Sequence, residues 1–257
     1  MSAAIDCRYL EMEFGAAGGR QTVLRGINFT ASAGRLTMIA GPSGCGKSTL
    51  LSILGGLLTP TGGDALVFGK SLAGMTARGR AAYRREDVGF IFQQYNLVPA
   101  LTAVENAATP LIIGGARRAV AIERAHVELA ALGLADHAGK FPRQLSGGQQ
   151  QRVAIARALV HAPRLIICDE PTAALDSKTG EAVMVALSAI AADPARAVVI
   201  VTHDTRIFDY AGHLIELEDG LVIRNEIISD AEVAAPAPQA RRKRDKAAPA
   251  PGRRAAA

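Results

Sequence analysis

The chain has 257 residues, of which 49% are apolar, and this is enough for one large domain with a sizeable core. No apolar run approaches the roughly 18 residues that cross a bilayer, the N-terminus lacks the apolar stretch of a secretory signal, and three widely spaced cysteines argue against a disulfide framework or a zinc site. Residues 234–257 hold seven basic residues and one acidic residue, a charge of +6, so the net +5 of the chain leaves −1 for residues 1–233. The basic composition therefore does not predict a nucleic-acid partner.

The N-terminal part of the chain is predicted to form strands around one helix. In the first 40 residues, short apolar runs alternate with glycine, which predicts strands and hairpins. Leu36–Ala40 is predicted to be a short buried strand that leads into a glycine-rich loop and a helix over residues 49–58. Residues 59–63, with one proline and two glycines, are predicted to end that helix.

The remainder alternates helical and strand patterns. The predicted elements are mostly helix over residues 101–140, a helix from about Gly147, a strand over 165–168, a helix over 178–192, a strand over 197–201 and a hairpin at Asp219-Gly220. This alternation predicts an α/β fold with a mostly parallel sheet. Residues 234–257 are low-complexity Ala, Pro and Arg, so they are predicted to be a disordered tail on a domain formed by residues 1–233.

The strongest local signal is a phosphate-binding loop. It runs Gly41-Pro42-Ser43-Gly44-Cys45-Gly46-Lys47-Ser48, continues into Thr49, and matches the pattern G-x-x-x-x-G-K-[ST]. Its glycines let backbone N–H groups close around a phosphate, and the following helix directs its N-terminus at the same anion. Lys47 is expected to reach the β- and γ-phosphates, and the Ser48 hydroxyl to ligate Mg²⁺. A chance glycine-rich turn is the alternative, and the position between a strand and a helix argues against it.

Two adjacent carboxylates follow the predicted strand at residues 165–168. At the C-terminal end of a parallel strand, Asp169 and Glu170 would lie beside the phosphate loop. Asp169 is expected to hold Mg²⁺ and Glu170 to act as general base toward the attacking water. Alone, the pair would more simply be two solvated acids before a turn; the phosphate loop favours the functional interpretation.

A third signal is the segment Leu145-Ser146-Gly147-Gly148-Gln149. Ser146 and Gln149 have the spacing of a capping box, and residues with helical periodicity follow them. An ordinary capped helix explains the pentapeptide by itself. The two glycines suggest instead a helix N-terminus kept open for an anion.

Together, these three motifs resemble the ATP-binding subunits of ABC transporters, over about residues 5–230. The resemblance implies a P-loop NTPase (RecA-like) core with an N-terminal antiparallel β region and a helical subdomain at about residues 94–161. It implies ATP and Mg²⁺ as cofactors. It also implies a head-to-tail dimer, in which each ATP lies between one phosphate loop and the Ser146-Gly147-Gly148 segment, with Gln149, of the other copy.

Further positions match the family pattern. Gln93 is similar to the glutamine that senses Mg²⁺ and couples to the membrane partner, and Asp176 lies in a loop similar to the one that contacts the opposite subunit. His203 resembles the histidine that contacts the γ-phosphate, although a lone histidine at a strand end is more often a satisfied surface residue. Phe14 stands where the family generally has a Tyr that stacks on adenine.

One departure concerns cysteine. Cys45 replaces a serine that is usual in the family, and an open loop with Lys47 nearby would make its thiol reactive. Cys168, in a buried strand, is expected to be inert. The alternative is that the Cys45 side chain is tucked against the protein.

The segment from Arg84 to Gly115 resembles the MacB and LolD branch, whose ATPases pair with separate FtsX-like permeases. This implies export or translocation of lipoproteins, peptides or drugs, and a cytoplasmic location on the inner face of the membrane. An ATPase of an uptake system and an FtsE-like module that transmits force to a periplasmic partner remain alternatives. The basic tail is expected to be solvated, with weak contact to anionic lipid as the alternative.

Overall fold

The structure is a computed structural model, and it describes residues 3–15 and 19–229. The predicted tail at residues 234–257 lies outside the described residues. Two sheets organise the described part of the chain, and none of its helices is long and apolar enough to cross a membrane.

The smaller sheet is antiparallel and contains four strands in the order β2-β1-β4-β5. Its strands are β1 (Ile5–Phe14), β2 (Gln21–Ala31), β4 (Gly62–Val67) and β5 (Lys70–Ser71). It is the antiparallel N-terminal region that the family resemblance implied.

The larger sheet contains six strands in the order β10-β9-β3-β8-β7-β6. Its strands are β3 (Leu36–Ala40), β6 (Val88–Ile91), β7 (Leu165–Asp169), β8 (Ala197–Thr202), β9 (His213–Glu218) and β10 (Leu221–Ile227). All neighbouring pairs are parallel except β9 and β10, which form the predicted hairpin. The predicted α/β fold is confirmed.

Six α-helices occur in the described residues. They are α1 (Lys47–Leu54), α2 (Ala77–Glu86), α3 (Ala103–Ile113), α4 (Arg118–Ala131), α5 (Gly147–Leu159) and α6 (Ser177–Ala191). The prediction for α1 was displaced: the helix begins at Lys47 and ends at Leu54, because Gly55 and Gly56 follow and Gly56 has φ +66°. The single helical region predicted over residues 101–140 is two helices, α3 and α4. Neither α2 nor β4 to β6 was predicted.

The core lies on both faces of the large sheet. Every residue of β8 is buried, and its side chains alternate between two apolar clusters: Val199 and Val201 face the antiparallel sheet and α1, while Val198 and Ile200 face α5 and α6. Strands that are covered on both faces need apolar residues at successive positions. A third cluster joins α3, α4 and α5, within the segment assigned to a helical subdomain.

Candidate active site

The glycine-rich loop connects β3 to α1, at the C-terminal edge of the parallel sheet. Gly41 has φ +146° and Gly46 has φ +105°, which is the backbone region that favours glycine. A Cβ atom on Gly41 would lie 2.1 Å from the carbonyl oxygen of Leu217, and one on Gly46 would lie 2.7 Å from Leu24 Cδ2. Both positions therefore require glycine for conformation and for space.

Lys47 is the first residue of α1 and its side chain folds back over the loop. Its ammonium donates hydrogen bonds to the carbonyl oxygens of Gly41 and Pro42, each at 2.7 Å, and it lies 3.7 Å from Cys45 Sγ. Lys47 is 7% exposed, and its ammonium lies against the backbone of the loop. The loop therefore combines a lysine cation with backbone N–H groups.

The sequence predicts a Cys45 thiol that is open to solvent, but in the structure this thiol is buried. Cys45 is 5% exposed. Its sulfur lies close to Gly41 of the same loop, since a Cβ atom built on Gly41 would be 2.9 Å from Cys45 Sγ. The prediction of an accessible Cys45 was wrong for this conformation, and the tucked alternative is the one found. Cys168 is buried, and burial raises the pKa of its thiol.

The carboxylates lie at the end of β7, as predicted. Asp169 is half-buried; burial raises its pKa, the neighbouring Glu170 charge raises it further, and the charge of Lys47 lowers it. Glu170 has φ +47°, an unusual backbone conformation for a residue other than glycine, and its N–H donates to the carbonyl oxygen of Val201 at 2.9 Å.

His203 meets Glu170 although 33 residues separate them in the chain. Its Nδ1 lies 2.5 Å from Glu170 Oε1. The His203 side chain is 63% exposed, whereas that of Glu170 is only 18% exposed. The histidine of the pair therefore faces solvent and the carboxylate lies deeper in the protein.

The phosphate loop, Glu170 and His203 border one cavity of about 610 Å³. Its lining residues are Val23, Ser43, Gly44, Gly46, Lys47, Ser48, Thr49, Gln93, Glu170 and His203. The phosphate loop and three predicted residues from distant parts of the chain, Gln93, Glu170 and His203, therefore converge on one space. Val23 was missed by the sequence analysis, since an apolar residue in a strand carries no signal of a site. Phe14, at the end of β1, is 41% exposed and is not among the lining residues.

The remaining predicted site residues lie elsewhere. Ser146 caps α5: its Oγ accepts from the Gln149 N–H at 3.3 Å, and Gln149 Oε1 accepts from the Ser146 N–H at 2.9 Å, which is the predicted capping box. Asp176 caps α6 by accepting from the N–H groups of Lys178 and Thr179. Hydrogen bonds from Thr179 lower the pKa of Asp176. Neither cap lines the cavity, so within one chain these residues do not meet the phosphate loop.

A loop of this pattern between β3 and α1, with carboxylates at the end of a neighbouring parallel strand, defines a P-loop nucleotide-binding cassette. The ABC transporter family model matches residues 24–173, and the chain belongs to this family. It is 44% identical over 216 residues to the uncharacterized ABC transporter ATP-binding protein MJ1508 of Methanocaldococcus jannaschii, covering 84% of this chain and 95% of that protein.

Other relatives are larger. The chain is 42% identical to the macrolide export ATP-binding/permease protein MacB of Rhodopseudomonas palustris over 93% of this chain, but it spans only 36% of that protein. Among solved structures, the chain is similar to the ATP-binding cassette MJ0796 in a dimeric post-hydrolysis state bound to ADP and Pi. The TM-score is 0.78 and the sequence identity is 39%, and the match covers 87% of this chain and 98% of that chain. The predicted family, cassette fold and ATP hydrolase class are thereby confirmed.

Proposed function

We propose that the chain hydrolyses MgATP as a dimeric motor that drives a separate membrane permease. The observation that carries this proposal is the convergence of the phosphate loop, Gln93, Glu170 and His203 on one cavity. Lys47 and the loop N–H groups bind the phosphates. Glu170 accepts a proton from the attacking water, and His203 orients the carboxylate and the transferred phosphate group.

The oxygen ligands at this site suit Mg²⁺. Ser48 and Gln93 line the cavity and Asp169 ends the adjacent strand, and all three side chains carry the hard oxygen donors that Mg²⁺ prefers. In the described part of the chain, no three His, Cys, Asp or Glu side chains are grouped to hold a metal. This fits an ion that takes few protein ligands and completes its shell with nucleotide phosphates and water. Mg²⁺ would neutralise charge that develops on the phosphates.

A second copy of the chain would complete the site. The capped N-terminus of α5, with Ser146, Gly147 and Gly148, lies outside the cavity of its own chain, and we propose that it meets the ATP bound by another copy. The dimeric structures of MJ0796 support a dimer of the chain. We propose the same for the Asp176 loop, in addition to its role as a helix cap, and adenine stacking for the exposed Phe14.

The partner is proposed to be a permease of the MacB type. Relatives named MacB and PvdT combine an ATP-binding part with a permease, and this chain spans only about a third of their length. The chain would then lie on the cytoplasmic face of the membrane and power export. An uptake permease or an FtsE-like role remains the alternative, and copurification of the native membrane partner would distinguish them.

The hydrolytic role is tested by Glu170→Gln. We expect phosphate release to stop while ATP binding persists, because the amide cannot accept the proton of water but leaves Lys47 and the loop intact. An ATP-locked dimer should accumulate in MgATP, measured by size-exclusion chromatography. Glu123→Gln, an exposed change on α4, is the control and should hydrolyse ATP as the unmodified chain does. Normal turnover by Glu170→Gln would remove Glu170 from the role of base.

A further inference from the structure

The loop that follows Gln93 has an unusual backbone. Tyr95 has φ +58° and Asn96 has φ +48°, so two consecutive residues other than glycine occupy the left-handed region. For residues other than glycine this backbone conformation is sparsely populated in an unconstrained chain, and it persists where surrounding contacts hold it. Within the loop, the Tyr95 N–H donates to the Phe92 carbonyl oxygen and the Asn96 N–H donates to the Gln94 carbonyl oxygen, and contacts from outside the loop add to these two bonds.

Arg157, on α5, restrains the loop from outside. Its Nη1 donates to the carbonyl oxygen of Asn96 at 2.6 Å and its Nη2 donates to the carbonyl oxygen of Tyr95 at 2.7 Å. The two N–H groups of one planar guanidinium thus fix the direction of two successive peptide groups. In the described residues, Arg157 forms no ion pair. Both side-chain hydrogen bonds of Arg157 go to this loop.

The same loop also touches the other end of α5. A Cβ atom on Gly147, the first residue of the helix, would lie 3.0 Å from Tyr95 Oη. The Tyr95 side chain therefore covers the Gly147 backbone beside the capped N-terminus. Between them, Tyr95 and Arg157 attach the loop to α5 at its first turn and at its last turn.

We infer that Arg157 and Tyr95 are positioning residues that make Gln93 and the Ser146-Gly147-Gly148 segment move as one unit. The inference rests on the proposed function and deepens it. Gln93 lines the chain's own cavity, whereas the N-terminus of α5 is offered to the second copy. A rigid link between them would let the occupied Mg²⁺ site of one chain set the orientation of the surface that the partner's ATP meets.

The test uses Arg157→Met in the Glu170→Gln chain. Methionine preserves length and apolar contact but has no donor, so the loop loses both restraints. We expect about tenfold more MgATP to be needed for half-maximal dimer formation, as for the loss of strong charge-assisted hydrogen bonds. The affinity of the monomer for ATP should be unchanged, because the phosphate loop is untouched. Arg84→Met is the matched control, since Arg84 also donates to a backbone carbonyl, that of Gly56 at 2.7 Å, but on α2.

Two further measurements keep the inference falsifiable. Arg157→Lys retains the charge with one flexible donor head and should give about a threefold shift, which decides the question if Arg157→Met does not fold. Hydrogen exchange should accelerate at residues 94–97 and 147–149 together in the Arg157 variants, and in neither segment in Arg84→Met. An unchanged MgATP requirement, or faster exchange in residues 94–97 alone, overturns the inference. If Glu170→Gln by itself gives no MgATP-dependent dimer, the proposed function fails first and the inference fails with it.

Discussion

Gly148 offers a stringent test of how the N-termini of α5 and α6 pack. It is a buried residue in the first turn of α5, and a Cβ atom built on it would lie 2.0 Å from Thr179 Cγ2 on α6. Thr179 is not free to rotate away, because its hydroxyl donates to Asp176 Oδ2 at 2.7 Å and its N–H to Asp176 Oδ1 at 3.0 Å. Alanine at position 148 would therefore push two capped helix ends apart.

The expected cost follows from the distances. Carbon atoms in contact lie about 3.5–4.0 Å apart, so Gly148→Ala requires a displacement of roughly 1.5 Å at the Thr179 methyl. Overpacking of this kind costs about 1–3 kcal/mol, against which alanine returns up to about 1 kcal/mol over glycine in a helix. Gly148→Ala should therefore lower the free energy of unfolding by about 1–2 kcal/mol.

Thr179→Ser separates this clash from other effects. Serine keeps the hydroxyl that bonds Asp176 and removes only the methyl group, after which the nearest Thr179 atom is Cβ at 3.5 Å, an ordinary contact. In the Thr179→Ser chain, Gly148→Ala should be neutral or stabilising by about 0.5 kcal/mol. The double-mutant cycle should then give a coupling energy of about 2 kcal/mol.

The assay is urea unfolding followed by far-ultraviolet circular dichroism, since the chain has no Trp. Gly139→Ala is the control, because Gly139 has nothing within 4 Å of a Cβ atom and no positive φ. Its effect should be small and independent of Thr179→Ser. Equal effects of Gly148→Ala with Thr and with Ser at position 179 would refute the packing argument.

Two other predictions follow from the burial of Cys45 and the charge of the tail. Cys45, at 5% exposure, should react with a maleimide far more slowly in the native chain than in urea, and mass-spectrometric mapping that finds rapid native labelling blocked by MgATP would contradict the buried geometry. Deleting residues 234–257 should leave ATP hydrolysis unchanged, whereas sedimentation with anionic vesicles should weaken if the seven basic residues contribute about 1 kcal/mol each near the lipid surface. Equal, salt-insensitive sedimentation with and without the tail would argue against the lipid contact.

Sequence patterns predicted the parallel strands well because burial on both faces leaves a strong signal. Leu165–Asp169 and Ala197–Thr202 are nearly continuous apolar runs, and both form strands at the predicted positions. β6 gave no such signal, since Gly89 interrupts it. The structure gives the reason for that glycine: a Cβ atom there would lie 2.3 Å from the carbonyl oxygen of Ala158, so α5 packs directly on the strand backbone.

Helix α2 was missed for the opposite reason. Its sequence, ARGRAAYRRE, has no apolar periodicity, and Tyr83 is its only buried residue. The helix is held by specific tertiary contacts: the Tyr83 hydroxyl donates to the carbonyl oxygen of Leu54 at 2.8 Å, and Arg84 Nη1 donates to that of Gly56. Contacts between residues about 28 positions apart leave no local pattern to detect.

The active site shows the same division between residue type and residue placement. The position after a predicted strand identified Glu170 as a candidate, and the family resemblance identified His203, but nothing in the sequence predicts that their side chains meet. The parallel register that pairs Asp169 with Val201 brings the two strand ends level, and the Glu170 N–H continues that ladder to the Val201 carbonyl oxygen. The left-handed backbone at Glu170 then directs its side chain out of the strand alternation and toward His203. The direction of the Glu170 side chain, the proposed base, therefore depends on a strained backbone conformation that the sheet holds in place. The residue type alone carries no information about that conformation, so the sequence could not predict the direction of the side chain.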